Sequence, residues 1–102
     1  MDENRSERVR EMSQLLSACR HEVEVAEAAC ERWRASLEAF DKLAKYYESP
    51  LWREDYDAFD RGELADVEDC GALTEDGIFD LFVSQTELGK TFLRSALRAL
   101  EA

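Results

Sequence analysis

The chain has 102 residues, of which 45% are hydrophobic, and this fits one folded domain with a modest core. Its 24 acidic against 13 basic residues give a formal net charge of −11, which repels phosphate backbones and anionic headgroups. We therefore expect no binding of nucleic acid and no docking on a membrane. The charged N-terminal stretch, the absence of any apolar run near the roughly 20 residues that span a bilayer, and an odd count of cysteines favour a cytoplasmic protein.

Residues 1–48 predict one long amphipathic helix. No glycine or proline occurs before Pro50, and good helix formers fill most positions. Apolar residues alternate three and four positions apart, as in a coiled coil, and we call this stripe the seam: Val9, Met12, Leu16, Cys19, Val23, Ala26, Cys30, Trp33, Leu37, Phe40, Ala44 and Tyr47. Leu15, Ala29 and Leu43 widen the seam, so we expect more than one helix to pack against it.

The dipeptide Ser49-Pro50 predicts the end of the long helix and the start of a second one. Proline suits a first helical position and disfavours helical geometry in the residue before it, and the Ser49 hydroxyl can cap the new helix. The second helix is predicted from Pro50 to Arg61, with Gly62 as its C-terminal stop. We expect Trp52 to lie under the following loop and to link this helix to the Tyr47 end of the long helix.

The last third of the chain predicts an acidic loop followed by two further helices. Residues 62–73 show no sustained period. Thr74 followed by acids predicts the N-cap of a third helix, which is apolar on most sides and therefore expected to be largely buried. Ser84 and Glu87 fit a capping box, which predicts a break before a fourth helix from Gln85 to Leu100. Gly89 in that helix marks either a weak point or a site of close approach.

Together these elements predict an all-α fold. A long N-terminal helix, residues 1–48, is packed by three shorter helices that fold back as an antiparallel bundle. Residues 49–102 supply the fold-back helices and the acidic loop, and residues 1–102 form a single helical domain.

The segment from about Phe40 to Val83 resembles a known family. The matching residues are chiefly ones that form turns or pack in a core. They are Tyr46-Tyr47-Glu48-Ser49, Trp52, Asp55-Tyr56, Gly62, Leu64, Gly71-Ala72-Leu73-Thr74-Glu75-Asp76 and Phe79-Asp80-Leu81. In these residues the chain resembles an uncharacterised bacterial family known as domain of unknown function 4298. The resemblance implies a short, soluble, mainly helical protein and implies no activity.

The sequence offers little chemistry. Seven acids between residues 55 and 69 could supply carboxylate ligands for a hard cation such as Ca²⁺. However, a calcium loop starting at Asp55 would have Phe59 and Asp60 at the positions that need an oxygen ligand and a glycine. The cysteines and His21 lack the paired spacing of a zinc site, and His21 has no apparent nucleophile beside it. We predict no catalytic residue, metal ligand or cofactor. A carboxylate-based metal sensor or small enzyme is the alternative, and mimicry of nucleic-acid charge by the acidic segment is a third possibility.

The favoured function is non-catalytic binding of another protein, whose identity the sequence leaves open. One candidate interaction surface lies around the acidic loop, with Tyr46 included because it falls off the seam beside that segment. We call it the acidic surface: Tyr46, Asp57, Asp60, Glu63, Asp66, Glu68 and Asp69.

The second candidate surface is the start of the seam, which we call the N-terminal seam: Val9, Met12, Leu15 and Leu16. The whole seam is roughly 58 Å long, whereas the last helix spans only roughly 24 Å at 1.5 Å per residue. The N-terminal seam therefore lacks cover within one chain, and we predict a homodimer that covers it. Parallel and antiparallel orientations both stay open at this point.

Overall fold

The computed structural model describes residues 2–101, which are built from α-helices. Helix α1 is Glu3–Glu48, α2 is Pro50–Asp60 and α3 is Gly77–Glu101; one turn of 3-10 helix, Gly71–Leu73, precedes α3. No strand occurs within residues 2–101. The predictions of an all-α fold and of a long N-terminal helix are confirmed.

Two compact units divide the chain, residues 1–40 and residues 41–102. The described part of the first unit consists almost wholly of α1, which contains no buried residue. Its ion pairs, Asp2 with Arg5 and Glu31 with Arg34, are exposed and contribute only about 0.2–0.5 kcal/mol each. Most of the stability of a protein helix comes from packing its apolar face, so this part of α1 gains little from its own unit.

In the second unit, Ser49 separates α1 from α2. Its backbone is extended, with φ −83° and ψ 158°, and Pro50 takes the first helical position. The predicted boundary is confirmed, but the predicted cap is wrong. The Ser49 hydroxyl donates to the carbonyl oxygen of Tyr46 at 2.7 Å, so it satisfies the end of α1 and makes no side-chain hydrogen bond to the start of α2.

Helix α2 ends at Asp60, one residue before the predicted Arg61, and Gly62 is its C-terminal stop, as predicted. Gly62 has φ +77°, a left-handed conformation that favours glycine. Its N–H donates to the Phe59 carbonyl at 3.0 Å, and the N–H of Glu63 donates to the Ala58 carbonyl at 3.0 Å. This pair of reversed hydrogen bonds is the Schellman motif, which satisfies carbonyls that the helix end would otherwise leave unpaired.

The core of the second unit lies around the 3-10 turn, which packs against both α2 and α3. Leu73 and Ile78, 6% and 5% exposed, are the buried residues among residues 2–101. The Thr74 hydroxyl donates to the Gly71 carbonyl at 2.9 Å and closes the turn. A Cβ at position 77 would collide with the Thr74 Oγ1 and lie 3.0 Å from the Gly71 carbonyl oxygen, so glycine fits this close approach best.

The prediction of a third and a fourth helix is wrong, because α3 runs unbroken from Gly77 to Glu101. Glu87 does not fold back onto Ser84 as a capping box requires. Its carboxylate lies 3.2 Å from the Lys90 Nζ, and its carbonyl accepts a hydrogen bond from the Thr91 hydroxyl. Within residues 2–101, two shorter α-helices therefore follow α1 instead of three.

The prediction that residues 78–83 are largely buried is also wrong for the described chain. Ile78 is buried, but Phe79, Leu81 and Val83 are exposed. The 3-10 turn is short and covers only one side of the start of α3. The remaining sides of this helix keep their apolar side chains in contact with solvent.

Gly89 is a weak point of α3, because nothing lies within 4 Å of a Cβ built on it. We expect Gly89→Ala to raise the free energy of unfolding by about 0.5–1 kcal/mol, since alanine loses less backbone entropy in a helix. Urea denaturation followed by circular dichroism measures this change. A lower urea midpoint would show that the position needs close approach instead, and Gly62→Ala, which forces alanine into a left-handed backbone, serves as the destabilising control.

Candidate interaction surfaces

Tyr46, predicted to face a partner, is held within its own chain. It is half-buried near the end of α1, and its hydroxyl donates to the Asp55 Oδ2 at 2.6 Å. Partial burial, this hydrogen bond and the negative charge of Asp55 raise the pKa of Tyr46 from 10.0 to about 12. No pattern in the sequence predicts this pair, which forms because the turn at Ser49 places α2 beside the end of α1.

The raised pKa predicts a spectroscopic signature. The fold favours the neutral phenol, so the stability that Tyr46 contributes is complete below pH 10 and is lost as the pH rises through about 12. Tyr46 should therefore give a late ionisation step near pH 12 in a titration followed by near-ultraviolet absorbance. Tyr46→Phe should remove this step. A late step that persists in this variant would show that it belongs to another tyrosine.

Three aromatic rings next to Tyr46 form a packed cluster. The Trp52 ring lies 5.1 Å from Tyr47 edge to face and 5.4 Å from Tyr56 in a stack. The Trp52 Nε1 donates to the Ala72 carbonyl at 2.9 Å, and the Arg53 guanidinium lies 5.6 Å from the centre of the Tyr56 ring. The predicted position of Trp52, linking α2, the end of α1 and the loop, is confirmed.

Three acids of the acidic surface have partners close by in the chain. Asp57 lies 3.5 Å from Arg53, and Asp69 accepts a hydrogen bond from the Gly71 N–H at 2.8 Å. Glu63 forms a two-point contact with Arg61 at 2.9 and 3.2 Å, and this hydrogen bond lowers the pKa of Glu63. These contacts organise the end of α2 and the loop locally.

The other acids of this surface, Asp60, Asp66 and Glu68, are exposed, and none makes a hydrogen bond or an ion pair through its side chain within residues 2–101. They are free to meet a cation or a basic partner. However, residues 2–101 contain no group of three or more His, Cys, Asp or Glu placed to hold a metal ion. The geometry of the described acids therefore lends no support to the alternative of a metal sensor.

The N-terminal seam is an exposed apolar stripe on α1. Val9, Met12, Leu15 and Leu16 are each about half exposed, at 57%, 49%, 50% and 51%. Their spacing puts them on one side of a continuous helix, and Val23 extends the stripe with 57% exposure. Of all the predicted site residues, these four form the most coherent surface.

An apolar surface on α3 was missed by the sequence reasoning. Phe79 and Val83 line a shallow hollow with Phe82 and Thr86, and Leu93, Leu97 and Leu100 are exposed further along the helix. The signal was present, since residues 78–83 are apolar on most sides. That pattern predicts burial within the chain, although it also fits a surface that needs a partner.

The comparisons with known proteins identify a family and no activity. A family described as a domain of unknown function (DUF4298) matches residues 9–95, a range that includes the acidic surface and the N-terminal seam. No characterised protein and no solved structure matches the chain significantly. Of the helices described in residues 2–101, none combines the length and the apolar content that crossing a membrane requires.

Proposed function

We propose, from the premise that this chain belongs to the DUF4298 family, that it acts by binding proteins and carries out no catalysis. One observation supports this most strongly. Two residues are buried within residues 2–101, whereas many large apolar side chains are exposed, including Leu16, Phe79 and Leu97. Extensive exposed apolar surface in a folded chain is typical of protein interaction sites.

In this proposal the chain forms a single helical domain in the cytoplasm, where three free thiols stay reduced. The shorter helices fold back antiparallel along part of α1, which leaves the N-terminal seam for a partner. Covering that seam with a second copy gives a homodimer. A small domain buries a limited fraction of its own surface, so burial supplied by a second chain adds a large share of its stability.

The acidic surface is proposed to bind a second, basic protein. Residues 49–84 carry eleven acids and two bases. Both bases already form ion pairs with acids of the same segment, Arg53 with Asp57 and Arg61 with Glu63. The acids that remain, Asp60, Asp66 and Glu68, supply charge that steers and selects a basic partner. Their contribution to affinity should fall as ionic strength rises.

A charge-neutralised variant tests this surface. We expect Asp60→Asn/Asp66→Asn/Glu68→Gln to lose a partner that the wild type captures from a native lysate at low salt. The matched control, Glu11→Gln/Glu24→Gln/Glu38→Gln, removes the same number of charges from α1 and should retain it. Equal capture by both variants, or no specific capture by the wild type, would contradict a binding role for the acidic surface.

Calorimetric titration separates this proposal from the carboxylate-based alternative. A metal sensor must show saturable heat with at least one of Ca²⁺, Mg²⁺, Mn²⁺ or Zn²⁺. The binding module should show none, and saturable heat lost in the charge-neutralised variant would contradict the assignment of these acids to a protein partner.

A further inference from the structure

Residues 5–27 of α1 have a charge distribution that bears on how two copies would meet. Residues 5–10 contain three arginines and one glutamate, whereas residues 20–27 contain one arginine and three glutamates. The exposed side chains from Val9 to Cys19 lie between the centres of these two segments. Over residues 2–11 as a whole, four acids offset the three arginines, so the contrast lies at the residues that flank the seam, Arg8 at one end and Glu22 at the other.

We propose that a second copy of this chain covers the stripe and that the two α1 helices run antiparallel, with the two-fold axis beside residue 14. This inference rests on the proposed self-association and adds its orientation. In this register Met12 packs against Leu16 of the second copy, Val9 packs against Cys19, and Leu15 meets its own copy across the axis. All four residues of the N-terminal seam lie at the centre of the contact.

Charge complementarity supports this orientation. Antiparallel helices set the arginine-rich segment of each copy beside the glutamate-rich segment of the other, and Arg8 lies on the same side of the interface as Glu22 of the second copy. A parallel pair sets each segment beside its own copy, so that like charges meet at both ends. Like charges across a helical interface destabilise it and are a common means of selecting orientation.

The contact in this register is small. Each copy contributes the N-terminal seam and the exposed Cys19, whereas Val23 lies opposite Arg5 of the second copy. We therefore expect a dissociation constant on the order of 10 µM.

Spin labels on Cys30 test the orientation. Cys30 is exposed and is the only labelling site in the variant Cys19→Ala/Cys70→Ala. The antiparallel register separates the two labels by roughly 48 Å along the helices, because each lies 16 residues from the axis at 1.5 Å per residue. In a parallel dimer the two labels share one layer of the seam and lie within about 20 Å of each other.

The electron paramagnetic resonance distance should thus be near 48 Å, and a distance under about 20 Å in a dimeric sample would overturn the orientation while leaving self-association intact. A monomeric mass by light scattering for the unlabelled wild type would instead overturn self-association itself. Oxidation of the wild type gives an independent measurement should the variant fail to fold. A disulfide between the two Cys30 residues requires the parallel arrangement, so its formation within the dimer would also overturn the proposal.

Discussion

Trp52→Ala should lower the free energy of unfolding by about 3 kcal/mol, the largest single effect that we expect in this chain. The indole packs against the rings of Tyr47 and Tyr56, and its Nε1 donates a hydrogen bond to the Ala72 carbonyl at 2.9 Å. Truncation would empty the space between α2, the end of α1 and the loop, and would also leave that carbonyl without its donor. Few other buried contacts exist to compensate, because only Leu73 and Ile78 are buried among residues 2–101.

Trp52→Phe separates the two contributions, since it keeps most of the ring and removes the hydrogen bond. We expect it to lower the free energy of unfolding by about 1 kcal/mol, the usual net value of one hydrogen bond with some added loss of packing. Urea denaturation followed by circular dichroism measures both variants. An unchanged midpoint for Trp52→Ala would show that the ring does not stabilise the fold and would make it a candidate contact for a partner.

Gly77→Ala should also be strongly destabilising, by about 2 kcal/mol. A Cβ at this position collides with the Thr74 Oγ1 and lies 3.0 Å from the Gly71 carbonyl oxygen, which is backbone and cannot rotate away. The 3-10 turn would have to move, and Leu73 at its end is part of the buried core. The helix propensity gained by alanine is small at the first residue of α3, so strain decides the sign.

A double-mutant cycle with Thr74→Ala identifies the source of this strain. Removing the Thr74 hydroxyl should recover part of the loss, because it removes one of the two atoms in collision. The remaining loss then measures the contact with the Gly71 carbonyl. A Gly77→Ala variant as stable as the wild type would contradict the close packing described for the 3-10 turn against α3.

The boundaries of α1 and α2 could be predicted from local chemistry alone. The seam shows an uninterrupted helical period, Pro50 can begin a helix but not continue one, and Gly62 can adopt the left-handed conformation that ends α2. Each of these signals acts over one or two turns of chain, so no tertiary information is needed. The position of Trp52 was also predictable, because α2 is short and carries its aromatic residues at helical spacing.

The features that depend on competition between local and tertiary interactions could not be predicted. Ser84 and Glu87 satisfy the rule for a capping box, yet Glu87 pairs with Lys90 and the helix continues. Sequence pattern indicates that a side chain is apolar, but it does not indicate whether the same chain or another chain covers it. For this reason the exposure of Phe79 and Val83 was missed, whereas the N-terminal seam was identified by comparing helix lengths.

The pairing of individual charges within the acidic surface could not be predicted either. Its members share a short window of sequence and were grouped on that basis, but their side chains do different things. The Tyr46 hydroxyl donates to Asp55, Asp69 accepts a hydrogen bond from the Gly71 N–H, and Glu63 pairs with Arg61. Asp60, Asp66 and Glu68 have no such side-chain partner within residues 2–101. Charge density can be read from a sequence, whereas the pairing of individual charges depends on side-chain geometry.

Self-association through the N-terminal seam is tested most directly by the mass in solution of two matched variants. Leu16→Glu places a charge in the seam, and Val25→Glu places the same charge off the seam at a side chain of similar exposure, 51% against 49%. By light scattering at a concentration on the order of 100 µM, well above the expected dissociation constant, the wild type and Val25→Glu should approach twice the chain mass of 11.7 kDa. Leu16→Glu should remain at 11.7 kDa. A wild-type mass of 11.7 kDa at this concentration, unchanged by Leu16→Glu, would contradict the account and would mean that the chain covers its own seam.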